Sequence, residues 1–129
     1  MTLWHFTCAH GRGALGESGV LLPGRVHSPE QPWAELGPLS WMADVVWLTD
    51  QPDGIGTMLE VRTMTKCDRL AHRYRVTDET SVQRWVRWAH DVRIDATTRW
   101  GLEHADLSAI PTSWWLSQQP VPVVLDEQQ

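Results

Sequence analysis

The chain has 129 residues, 42% apolar and 21% charged, which fits one globular domain with a single core over 1–129. The net charge of -5 and pI of about 5.6 exclude a general nucleic-acid-coating surface, which needs clustered positive charge. No apolar run is long enough to cross a bilayer, and Met1-Thr2-Leu3-Trp4-His5 lacks the basic start and apolar stretch of a signal peptide; a cytoplasmic protein with no membrane partner is expected.

Leu3 to Thr7 reads as a first strand, with Trp4 and Phe6 on one face and Leu3, His5 and Thr7 on the other. Ala9 to Ser18 reads as a helix weakened by Gly11, Gly13 and Gly16, with Gly19 at its C-terminal end. Val20 to Pro23 is a brief extended piece. Pro23 to Pro38 carries four prolines and reads as a loop of the length that often forms a lid or binding loop.

Val45 to Thr49 is a second strand, whose continuous apolar run suggests burial on both faces. Gln51-Pro52-Asp53-Gly54 makes a turn. Met58 to Met64 alternates as a half-exposed strand, and Leu70 to Thr77 has the clearest period of two in the chain. Thr80 and Gln83 form a T-x-x-Q capping box, which predicts a helix with Val82, Trp85, Val86 and Ala89 on one face. A second helical segment is expected over Thr98 to His104. Trp114 to Leu116 and Val121 to Leu125 are extended. Pro120 and Pro122 cannot donate ladder bonds, so the last strand is expected at an edge or with a bulge. The sum is an α+β fold: a small, twisted, mostly antiparallel sheet with two or three short flanking helices.

Nine tryptophans stand against one tyrosine and one phenylalanine, and Lys66 stands alone against ten arginines. That bias fits a GC-rich bacterial or phage genome. Most of the indoles are expected in the core, each bringing a large apolar area and one N–H to satisfy. Cys8 and Cys67 are expected as free thiols, since nothing else suggests export.

His5, Cys8 and His10 form H-x2-C-x-H, three possible zinc ligands to which Cys67 or His72 could add a fourth. With no second close pair of ligands, ordinary residues at a strand end are the preferred reading, and no metal is assigned. A Cys8–His72 hydrolase pair rests on two scattered residues. No nucleophile elbow, P-loop or GxGxxG is present.

The order of pieces is more informative. Leu3-Trp4-His5-Phe6-Thr7 precedes a glycine-rich helical stretch, then Gly19-Val20-Leu21-Leu22-Pro23, then Val45-Val46-Trp47-Leu48-Thr49-Asp50. This arrangement resembles the ADP-ribosyltransferase-like superfamily over roughly the first 50 residues. There, a first core strand carries H-x-T or H-x-S, a helix leads into a G-L/V segment, and a second strand carries an aromatic followed by a small residue. The superfamily includes poly-ADP-ribose polymerases, DNA-modifying transferases and RNA 2′-phosphotransferases.

The resemblance implies NAD, or a related nucleotide, as ligand. His5 would bond the ribose beside the nicotinamide, with Thr7 supporting it. Trp47 would stack on the nicotinamide, and Thr49 would be a further residue of the cofactor site. The family's late glutamate has no counterpart here: the last strand is preceded by Ser117-Gln118-Gln119-Pro120, so Gln118 would touch the 2′-hydroxyl without supplying charge. Another acid, Glu103 or Glu60, would have to serve if ADP-ribose is transferred to a protein or nucleic-acid acceptor; otherwise the domain binds without fast turnover. The alternative is a non-enzymatic interaction protein that docks on a partner through exposed tryptophan and an acidic surface.

Overall fold

Seven short strands form one antiparallel sheet in the order β2-β7-β4-β1-β3-β6-β5. They are β1 (Trp4–Thr7), β2 (Ser18–Leu21), β3 (Val46–Thr49), β4 (His72–Val76), β5 (Val82–Arg84), β6 (Trp114–Ser117) and β7 (Val121–Leu125). Among the described residues, four α-helices accompany them: α1 (Ala9–Leu15), α2 (Gly24–His27), α3 (Trp85–Asp91) and α4 (Ala96–His104). This is an α+β fold. The computed structural model describes residues 1–57, 70–105 and 107–127, so the strand expected over Met58 to Met64, with Glu60, Lys66 and Cys67, lies outside the described residues.

Alternation sorts the strand side chains onto two faces. One face contributes Leu3, Leu21, Val46, Leu48, Tyr74, Val76, Val121 and Val123, all buried. Among the described residues, Leu15 of α1 is the only helical side chain packed against that cluster. The other face contributes Trp114 and Leu116, with Trp47 beside them, and is covered by Trp85, Trp88 and Ala89 of α3. Trp41, Trp47, Trp85, Trp88 and Trp114 interlock there with ring centroids 5.4 to 6.3 Å apart. Each such indole brings on the order of 4–6 kcal/mol of transfer free energy, before entropy is charged. β3 feeds both clusters, which is why its apolar run is unbroken.

Several boundaries differ from the sequence reading, each for a physical reason. α1 stops at Leu15 because Gly16 takes φ 71° and its amide caps the Arg12 carbonyl; Gly19 lies in β2 instead. The proline-rich stretch contains the single turn α2 after Pro23, and then 3-10 turns over Trp33–Asp44 joined at Gly37 (φ 58°). Trp33 packs on Gly24 and donates to the Ser28 carbonyl, while Arg25 bonds Asp44 and the Ser40 carbonyl.

The capping box at Thr80 does not form. Thr80 instead donates its amide and hydroxyl to Asp78, Val82–Arg84 joins the edge of β6, and the helix starts at Trp85. Val82 therefore belongs to the cluster opposite that of Trp85 and Ala89. The second helix begins earlier than expected, at Ala96, because Asp95 caps it by accepting from the Thr98 hydroxyl and amide; those two bonds hold its carboxyl below the usual range.

β7 is not an edge strand: it lies between β2 and β4. The Pro122 carbonyl accepts from Thr77, just past the end of β4, so the missing proline N–H faces the point where that ladder stops. The edges are β2 and β5.

α1 crosses β1 closely. A Cβ on Gly11 would overlap the Thr7 side chain, whereas one on Gly13 would meet nothing within 4 Å. Alanine is favoured over glycine in a helix by about 1 kcal/mol, and overpacking costs about 1–3 kcal/mol. Gly13→Ala is therefore expected to raise the melting temperature and Gly11→Ala to lower it. Adding Thr7→Ala should recover part of the Gly11→Ala loss in a double-mutant cycle.

Tyr74 is fully buried and donates to the Gly16 carbonyl at 2.6 Å. Burial pushes its phenol above the ordinary value of 10.0, with Arg12 pulling it down and Glu127 pushing it up. The folded state thus favours the neutral phenol; its contribution is complete below pH 10 and is lost as pH rises through the folded value. Tyr74→Phe is expected to cost about 1–2 kcal/mol near neutrality. Thermal melts against pH should show that deficit shrinking above pH 10.

Candidate functional site

The site begins where a ladder ends. β1 pairs with β4 at four positions but with β3 at one, Trp4 opposite Thr49. Continuing that register would set Phe6 opposite Trp47. Instead the Trp47 carbonyl is met by the side chain of His5, whose Nδ1 lies 3.0 Å away. A carbonyl only accepts, so Nδ1 carries the proton and donates.

A cavity of about 380 Å3 opens at this junction. β1 supplies Trp4, His5 and Phe6 to its wall; β3 supplies Val46, Trp47, Leu48 and Thr49. Leu21 and Leu22 enter from just before the proline-rich segment and Met42 and Val45 from beyond it. Thr57 and Trp114 complete the wall. Side chains from both sheet faces take part, and none of these lining residues is Asp, Glu, Lys or Arg. The volume is at the lower end of the range for small-molecule sites, roughly 300–1,000 Å3.

His5, Trp47 and Thr49, singled out separately in the sequence, thus meet in one cavity. Thr49 is 2% exposed, pairs with both Trp4 and Trp114, and accepts the Gln51 amide on its hydroxyl. Thr7 is not in the wall; it is buried beneath α1 against Gly11. Gln118 is not there either. It is exposed beyond β6 and accepts from Trp88 Nε1 at 3.4 Å. Glu103 accepts from Trp85 Nε1 and lies 3.9 Å from Arg99, outside the cavity wall.

The ring of Trp47 is surrounded by Trp41, Trp85 and Trp114. Its Nε1 is buried and has no hydrogen-bond partner, alone among the buried side-chain nitrogens and oxygens of the described residues. Cys8 Sγ lies 3.8 Å from His10 Nδ1, whereas His5 is turned to the Trp47 carbonyl. Among the described residues, no three histidine, cysteine or acidic side chains converge as a metal site, and no helix is long and apolar enough to cross a membrane.

Sequence reasoning missed Trp114, Met42 and Thr57. Trp114 sits opposite Thr49 across a non-local strand pair, and no local pattern carries that register. The indole N–H of Trp114 donates to the Gly56 carbonyl at 2.6 Å, which draws the loop bearing Thr57 over the cavity. No known protein-family model, curated protein or solved structure matches this chain.

Proposed function

We propose that this domain binds NAD or a related nucleotide, in the manner of the ADP-ribosyltransferase-like superfamily, with the ring-and-ribose end seated where β1 and β3 part. The observation that carries the reading is the meeting of His5, Trp47 and Thr49 in one cavity at that junction. About 380 Å3 suits one nucleoside rather than a whole dinucleotide. None of the described lining residues is Arg or Lys, so a pyrophosphate would lie outside them. His5, held through Nδ1 by the Trp47 carbonyl, stands in the wall where a ribose would meet it.

Binding is better supported than transfer. Loss of nicotinamide leaves an oxocarbenium-like ribose, and a counter-charge aimed at it is worth a few kcal/mol of barrier. Gln118 is neutral and outside the cavity wall, and Glu103 is engaged with Trp85 and Arg99. NAD at a hundred times its dissociation constant would add about 2.7 kcal/mol of stability. A melting-temperature rise of several degrees with NAD is therefore expected, and His5→Ala should abolish it. No shift at millimolar NAD, in a chain with a normal cooperative melt, would sink the proposal.

One observation favours the second reading, a non-enzymatic protein that docks on a partner: Trp100 is 64% exposed on α4, stacked on His104 at 4.6 Å. That reading expects a stable complex in pull-downs that survives His5→Ala and is lost in Trp100→Ala.

A further inference from the structure

The ladder that holds β2 fixes which way its backbone points. The Thr77 amide donates to the Pro122 carbonyl and the Asp126 amide to the Arg73 carbonyl, so residues 122, 124 and 126 turn their backbone groups toward β4. The Leu125 amide donates to the Glu17 carbonyl, so residues 121, 123 and 125 turn theirs toward β2. Their partners Gly19 and Leu21 are therefore bonded within the sheet, whereas Ser18 and Val20 point their amides and carbonyls away from β7, past the sheet edge. Among the described residues, no strand lies beyond β2 and nothing bonds those groups. Ser18 is exposed, Val20 is 50% exposed and the following Leu22 39%. The other edge, β5, is three residues long, carries Arg84 over the Trp115 ring and runs straight into α3. β2 has none of the charge or proline that commonly blunts an edge strand.

We infer that β2 is a docking edge whose occupant is β2 of a second copy of this chain, added antiparallel about a two-fold axis at Val20. A two-fold contact needs a surface that complements itself, and this edge does. The Val20 amide and carbonyl exchange bonds with those of Val20 in the second copy. Ser18 exchanges bonds with Leu22, the next residue in the same alternation. Pro23 then falls at an inward position, where no N–H is asked of it. Pro122 lies opposite Val20 across the ladder with β7, so the two Val20 side chains join Pro122 of both copies in one apolar row. A register centred on Gly19 would instead set Glu17 opposite the buried Leu21. The edge is short, so the contact is small and the association weak and concentration-dependent. Leu21 and Leu22 also line the cavity, so pairing braces one side of its wall in each copy, whatever the cavity holds.

The test follows the full chain by sedimentation velocity and by amide hydrogen exchange, from about 10 μM to about 1 mM. The native chain should pass from monomer to dimer over that range. At the dilute end the amides of Gly19 and Leu21 should be protected and those of Ser18 and Val20 open. At the concentrated end Ser18, Val20 and Leu22 should become protected as well. Val20→Pro removes the outward N–H and leaves the bonds to β7 in place, and Val20→Lys sets a charge at the axis. Both should stay monomeric throughout and keep a cooperative melt in dilute solution. A native chain still monomeric at about 1 mM overturns the inference, and so does a dimer that both variants retain. A dimer that leaves the Ser18 and Val20 amides open overturns it too, a result that holds even where a variant fails to fold. Protection of those amides that appears only when an extended peptide is added to a monomeric chain assigns the edge to a foreign strand and overturns the second copy.

Discussion

The single β1–β3 pair, Trp4 opposite Thr49, is the constraint from which the rest follows. An antiparallel ladder that stops must find other partners for the backbone groups it releases, since buried unpaired groups are costly. His5 provides one by donating to the Trp47 carbonyl. The side chain thereby holds the strands in relation to each other without closing the space between them. What remains open is bounded by apolar side chains from both sheet faces, and a cavity results without any dedicated pocket-forming element.

The break also explains the division of the core. Val46 and Leu48 of β3 pack into the cluster shared with β4 and β7, whereas Trp47 turns toward α3 and its tryptophans. The strand at the junction is thus anchored on both faces, which keeps the cavity wall from collapsing inward. Thr7 has a structural part in the same arrangement. It receives α1 at Gly11, so the H-x-T pair divides its labour between a cavity side chain and a helix-packing side chain.

Strand existence and facing were legible in the sequence because they depend on local alternation, as in His72 to Val76 and Trp4 to Thr7. Strand neighbours were not. Pro122 reads locally as an edge residue, yet β7 is interior, because only the meeting with Thr77 reveals that the lost donor falls past the end of β4. Thr80 and Gln83 read locally as a cap, yet β6 recruits Val82–Arg84 as its neighbour and delays the helix to Trp85. Gln118 follows the same rule. Its place in the chain suits the family's late motif, but the fold turns it to Trp88. His5, Trp47 and Thr49 were legible as candidates; that they share a wall depends on the β1–β3 register, which no local pattern encodes.

The described guanidinium groups of Arg12, Arg25, Arg73, Arg75, Arg87 and Arg99 lie within 4.0 Å of carboxylates, and Arg84 lies over the Trp115 ring. These groups spend their positive charge on surface carboxylates or a surface ring, and none of them is among the described residues lining the cavity. The unpaired Trp47 nitrogen has a cost that a stabilising interaction elsewhere must offset, and the interlocked indoles beneath β3 supply it. The tryptophan excess and the unpaired Trp47 nitrogen are then parts of one arrangement: four ordinary core indoles hold a fifth in a position that packing alone would not favour.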